Sequence, residues 1–219
     1  MQDKYAKQLR EFCLMDDTFM SKVFEEHNKL LELILQIILK RKLTVISSSI
    51  QKERKSVNGH FIRFDIHAID NTGKEYDIEV QRSNEGAIPQ RARYNSAMLD
   101  SGMLKSGANY RSLKESYVIF ITENDIFGKG LPIYTIKRTI LETNKFFNDG
   151  SHIIYVNGTY SGDNDIGKLI HDFHCINSTD MNYKPLADRV SYFKNTKGGK
   201  YIMCKIMEEL AAEVKRDTA

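Results

Sequence analysis

Asp65, Glu79 and Gln81 are the residues whose types and spacing could do chemistry. In an extended strand, side chains i and i+2 share a face. Across RFDIHAID that alternation puts Arg63, Asp65 and His67 on one side and Ile62, Phe64, Ile66 and Ala68 on the other. Across KEYDIEVQRS it separates Asp77, Glu79, Gln81 and Ser83 from Tyr76, Ile78 and Val80. The apolar sets must meet a core, so Asp65, Glu79 and Gln81 are expected together on the opposite face. Between the two segments, Asn71-Thr72-Gly73 suits a three-residue hairpin loop with glycine at the left-handed position. Such a loop pairs Asp70 with Lys74 and, counting back along the ladder, sets Asp65 directly across from Glu79. Carboxylates so opposed have Cβ atoms roughly 4.5–5.5 Å apart and repel each other. A bound cation relieves that repulsion, and hard oxygen ligands with room for water favour magnesium or manganese. The same face carries Arg63 opposite Gln81 and His67 opposite Asp77, so a wet sheet surface laced with weak ion pairs explains the pattern as well.

The elements that would position these residues follow from periodicity and punctuation. Phe19, Val23, Leu30, Ile34 and Ile38 recur at helical spacing and predict one helix from about Thr18 to Lys40. It is closed by the cations of Lys40-Arg41-Lys42, as the C-terminal end of a helix dipole prefers. Three strands follow: Val45 to about Lys55, His60 to Asp70 after an Asn58-Gly59 turn, and Lys74 to Ser83. Pro89 and Gly102 bracket a helix over 89–101. YVIFIT (117–122) reads as a buried strand, about 131–138 and 152–156 as two more, and 165–175, 185–194 and 199–216 as helices. This order of elements predicts an α/β chain with a partly antiparallel sheet.

At these residues the chain resembles the PD-(D/E)xK nuclease superfamily, in its transposase-related branch of recombination-promoting nucleases. The resemblance rests on RFDIHAIDNTGKEYDIEVQRS, on the opening LMDDTFMSKVFEEHNKLLELIL, and on IPQRARYNSAMLDSGMLKSGANYRSLKESYVIFIT after the motif. YFKNTKGGKYIMCKIMEELA near the end also resembles the branch, so nearly the whole chain is covered. The resemblance implies a restriction-endonuclease-like core (helix, three-strand antiparallel meander, helix, strand) with extra C-terminal helices. It also implies one domain over 1–219, with the core at about 17–160 and a helical extension at about 161–219. Asp65 and Glu79 would be the metal-binding acids, the Val80 carbonyl a further ligand, and Gln81 would stand at the superfamily's lysine position. Phe64 replaces the name-giving proline. Gln81 can orient a water but cannot lend a positive charge; glutamine is typical of the branch. The implied activity is magnesium- or manganese-dependent DNA endonuclease cleavage, tied to transposition or recombination in a mobile element. Alternatives are a catalytically silent DNA-binding relative and a non-enzymatic interaction protein.

Other residues are read more plainly. Arg91 and Arg93 sit in the first turns of the helix after the motif, where cations are unfavourable unless a phosphate docks on the free N–H groups. They are the candidate nucleic-acid contacts, with Asn109-Tyr110-Arg111 and Lys52, Arg54 and Lys55 as weaker ones. The resemblance also implies a further acid from the opening helix region, with Asp17, Glu25 and Glu26 as candidates. His171, His174 and Cys175 are expected to pack rather than bind metal, and Phe146-Phe147, Met203 and Met207 to serve a core or an oligomer contact. Net charge is +3, too mild to indicate nucleic acid by bulk charge. The 3 cysteines make no CxxC pair, and no apolar run approaches the ~20 residues of a membrane span. The N-terminus lacks a signal-peptide layout, so a soluble, cytoplasmic protein is expected. Its partner would be DNA, with no membrane and no nucleotide cofactor, and a homodimer if both strands are cut.

Overall fold

In the computed structural model, which describes residues 2–55, 59 and 61–217, the single helix expected from Thr18 to Lys40 is two. A first helix that periodicity does not flag, α1 (Gln2–Glu11), precedes them; α2 (Asp17–Phe24) and α3 (Asn28–Leu39) are separated by Glu25–His27. Glu26 sits at φ 57°, a left-handed conformation that interrupts a right-handed helix. The restart is fixed by polar bonds to the following strand. Asn28 donates to the Val45 carbonyl at 3.4 Å and accepts from Ser48 at 2.7 Å, while Glu32 accepts the Val45 N–H at 3.0 Å. Glu32 is buried. Lys40 ends α3 in the left-handed conformation.

The remaining elements are β1 (Val45–Lys55), β2 (Phe61–Asp70), β3 (Glu75–Gln81), α4 (Pro89–Met103), β4 (Ser116–Thr122), β5 (Ile133–Ile136), β6 (Thr139–Ile140), β7 (Lys145–Phe146), β8 (Ser151–Asn157), α5 (Asp165–His174), α6 (Lys184–Asn195) and α7 (Lys197–Asp217). Asn58 and His60, expected to turn and to open β2, lie outside the described residues. Gly102, expected just past α4, is inside its last turn.

The fold is mixed α/β, with six strands in the order β1-β2-β3-β4-β8-β5. The first three pair antiparallel, β4 and β8 run parallel to β3, and β5 closes the far edge antiparallel to β8. The β2–β3 register is the one the loop implies: Ile69 faces Glu75, His67 faces Asp77 and Ile66 faces Ile78. Side-chain alternation in β2 is not as expected. Ile62 and Phe64 join Ala92, Met98, Leu99, Val118, Phe120 and Tyr155 beneath α4. Phe64 also stacks on His67, with ring centroids 6.1 Å apart. Ile62 and Phe64 thus lie on the face of Asp77 and Glu79, opposite Ile66. The parity changes around Asp65, beside Gln51 of β1, which is left-handed at φ 51°. The other face carries Tyr76, Ile78, Tyr117, Ile119 and Ile121, all buried.

Two compact units divide the chain: residues 24–170, with the sheet, and residues 1–23 together with 171–219, whose described elements are helices. In the helical unit Lys194 is buried, and its ammonium donates to the carbonyls of Arg10, Phe12 and Ile176. Met203 and Met207 are buried there. Phe146 and Phe147, in the sheet unit, are exposed. Among the described residues no helix is long and apolar enough to cross a membrane.

Candidate active site

The β2–β3 ladder ends at Ile66 and Ile78, and beyond it side chains take over the bonding. The Val80 N–H donates to Asp65 Oδ2 at 3.0 Å, and the Asp65 N–H to Glu79 Oε1 at 3.3 Å. The Gln81 amide nitrogen then donates to both carboxylates, to Asp65 Oδ2 at 3.2 Å and to Glu79 Oε2 at 3.3 Å. Those two oxygens can be no farther apart than the sum of these bonds. Glu79 and Gln81 also lie at the carboxyl end of a strand in the parallel part of the sheet, where α/β folds form their binding crevices.

The polypeptide after β3 completes the cluster. A 3-10 turn, Asn84–Ala87, leads into α4. Gly86 lies against the Gln81 amide, where an added Cβ would stand 2.1 Å from Gln81 Oε1. One turn into α4, Arg91 donates from Nη2 to Glu79 Oε2 at 2.5 Å and from Nη1 to Gln81 Oε1 at 3.3 Å. A further turn along, Asn95 donates to Asp77 Oδ2 at 2.8 Å. Arg93 is exposed and does not join the cluster.

Burial sets the electrostatics. Glu79 and Asp77 are fully buried, and Asp65 is nearly so. Burial, reinforced by the Glu79 charge, pushes Asp77 well above the usual carboxylate range. Burial also raises Glu79, with the Arg91 guanidinium opposing it. Asp77 Oδ1 has no hydrogen-bond partner. Glu79 is thus a buried carboxyl whose charged form is supported by the Arg91 guanidinium beside it. A cleft of about 320 Å³, lined by Phe61, Ile62, Arg63, Asp65, Arg91, Tyr94 and Asn95, opens onto these carboxyls.

The donor set fits a hard divalent cation. The ligand atoms offered are carboxylate oxygens, with neither sulfur nor imidazole among them. The Val80 N–H points at Asp65, and N–H and C=O of one strand residue point to the same side, so the Val80 carbonyl is turned that way too.

Other expected contributors lie elsewhere. Glu25 and Glu26 line a wider cleft of about 650 Å³ with Ser47–Ile50 of β1. Arg54 is no surface contact: it donates to the Met98 and Leu99 carbonyls at 2.8 and 3.1 Å and pairs with Glu75 at 3.1 Å. Among the described residues the one group of three potential metal ligands is His171, Asp172 and Cys175. Its centre is already filled, because the Asn182 amide donates to Asp172 Oδ1 at 2.9 Å and reaches His171 Nδ1 at 3.0 Å. Asp172 also accepts the N–H groups of Asn182 and Tyr183, which ties the end of α5 to the start of α6.

Asp77, Gly86 and Asn95 are the site residues that motif reading passes over. Each left a signal in the sequence. Asp77 lies two residues before Glu79 on the same strand face, and Asn95 lies four after Arg91 on the same helix face. A glycine soon after a strand can mark close approach to its end.

Neither the curated proteins nor the solved structures contain a match to this chain. The family model described as PD-(D/E)XK nuclease family transposase matches residues 17–158, a span holding Asp65, Glu79, Gln81 and Arg91, and the chain belongs to that family.

Proposed function

We propose that the protein is a divalent-metal-dependent DNA endonuclease with a restriction-endonuclease-like core, acting in transposition or recombination. The observation that carries this reading is the Gln81 amide bonding at once to Asp65 and Glu79. Two acids from neighbouring strands converge on one point at the mouth of a cleft. Asp65, Glu79 and the Val80 carbonyl would hold magnesium or manganese. When bound, the ion supplies Lewis acidity at the scissile phosphate and lowers the pKa of a water. Gln81, with one donor and one acceptor end, orients the attacking water against a phosphate oxygen. Arg91 presents a planar fork suited to phosphate from the rim of the cleft. Arg93, exposed on the same helix, would meet the DNA backbone farther out. The absence of a lysine leaves proton removal to the water's lowered pKa.

Supercoiled plasmid tests the reading. Nicking should require magnesium or manganese, stop with a chelator, and fall at least about a hundredfold in Glu79→Ala, more than losing a residue that merely orients a ligand typically costs. DNA retention without nicking in any divalent metal would instead mark a silent DNA-binding relative. No DNA binding at low salt would point to an interaction protein.

A further inference from the structure

Arg91 stands where a cation is expected. Its guanidinium spans Glu79 Oε2 and Gln81 Oε1, the groups to which the proposed function gives ion binding and water orientation. Glu79 is wholly buried, whereas the Arg91 side chain is 34% exposed and lines the cleft beside Asp65. Among the described residues Arg91 is the only cation paired with Glu79. Its withdrawal would leave the buried Glu79 carboxylate without a cation. A divalent ion binding Glu79 claims the same oxygen, and two cations cannot share it without strong repulsion in so buried a place.

We propose that Arg91 is an exchangeable counter-ion: it neutralises Glu79 while the site is empty and moves onto a DNA phosphate when a divalent ion takes its place. The proposal rests on the metal-dependent reading above and adds a coupling to it. Ion binding frees the guanidinium, and a phosphate at the cleft gives it a new bidentate partner. Ion and DNA must then each tighten the other's binding, by the same factor in both directions. A chain lacking DNA would hold its ion weakly, which limits hydrolysis to the DNA complex.

The test reads binding rather than cleavage. Manganese affinity is followed without DNA by the electron paramagnetic resonance of the free ion, and duplex affinity by fluorescence anisotropy with and without calcium. Arg91→Gln should bind manganese about tenfold tighter than the unaltered protein, within the usual range of coupling energies. It should bind duplex several-fold more weakly and lose most of the calcium-dependent gain in DNA affinity. Manganese binding that is unchanged or weaker in Arg91→Gln would overturn the exchange. If Arg91→Gln does not fold, as judged by circular dichroism, Arg91→Lys carries the test. A lysine keeps charge without the fork, and manganese should again bind more tightly. Glu79→Gln separates the two levels. If it abolishes manganese binding while Arg91 variants bind no tighter, only the exchange fails. If neither the unaltered chain nor the Arg91 variants take up manganese, with or without duplex, or Glu79→Gln keeps it, the metal-dependent reading fails and the exchange with it.

Discussion

Gln81 holds the centre of the site through an amide rather than a charge. Its nitrogen serves Asp65 and Glu79, its oxygen takes a bond from Arg91, and Gly86 leaves room for the whole group. Gln81→Ala removes both ends of that bridge and should lower the cleavage rate by roughly a hundredfold, the usual cost of losing one well-placed donor at a reacting centre. Gly86→Ala should reproduce part of the loss without touching a polar atom, because its methyl group would displace the Gln81 amide. Nicking rates alongside melting curves check this. A rate in Gly86→Ala equal to that of the unaltered protein would mean that the amide's position is immaterial. Alternation and loop length led to the expectation that Asp65, Glu79 and Gln81 meet; the loop register holds, the alternation breaks around Asp65, and side-chain hydrogen bonds join the three. The sequence did not reveal that Arg91 pairs with Glu79, because a helix and a strand joined by a turn can meet at many angles.

At the scale of elements, α4 is the part that completes the site, and it is fastened at its far end by β1. Arg54 reaches across to the Met98 and Leu99 carbonyls in the later turns of α4, passes over the Phe64 ring at 5.5 Å and pairs with Glu75, which also holds His67 at 2.7 Å. Gly102 makes that seat, since a Cβ there would lie 1.7 Å from Arg54 Nη1. Arg54→Ala leaves a buried carboxylate short of its cation and should destabilise the protein by about 3 kcal/mol. Gly102→Ala, which crowds the guanidinium out but leaves it able to find water, should cost about 1–2 kcal/mol. Urea denaturation measures both, and a Gly102→Ala protein as stable as the original would show that the seat is not needed. Arg54 had read as a surface cation in a basic run. Composition gives no sign that β1 turns this residue inward.

At the scale of the whole molecule, acid stability should depend on where the sheet's strands are tied. Glu115, just before β4, accepts from Lys74 at 2.7 Å, from the Tyr117 hydroxyl at 2.6 Å and approaches His152 of β8 at 3.2 Å. Burial pushes its carboxyl up, but the bonds from Lys74 and Tyr117 outweigh that and hold it at about 2, below the ordinary 4.5. A folded-state value below the unfolded one gives stability that is full above about pH 5 and is lost as the pH falls toward 2. Glu115→Gln should therefore flatten the acid limb of the stability curve while changing little at pH 7 beyond the lost ion pair. Chemical denaturation between pH 2 and 7 checks this, and an acid limb as steep as the original would remove Glu115 from the account.

A glycine-closed loop was enough to determine the β2–β3 register from Ile66–Ile78 to Ile69–Glu75, because strand pairing there is a local matter of turn geometry. Pro89 and Gly102 likewise marked α4, and the helices read at 165–175, 185–194 and 199–216 correspond to α5, α6 and α7. Periodicity could not see the break at Glu25–His27, since apolar residues continue on both sides of it and the bonds that enforce it come from β1. The parity change around Asp65 was equally hidden, beside a left-handed Gln51 in β1 that no residue pattern announced. The gathering of Asp77, Gly86, Arg91 and Asn95 around the two acids was decided only in three dimensions. Burial and crossing angle set the distance between a carboxylate and a guanidinium, and neither is written in the order of residues along the chain.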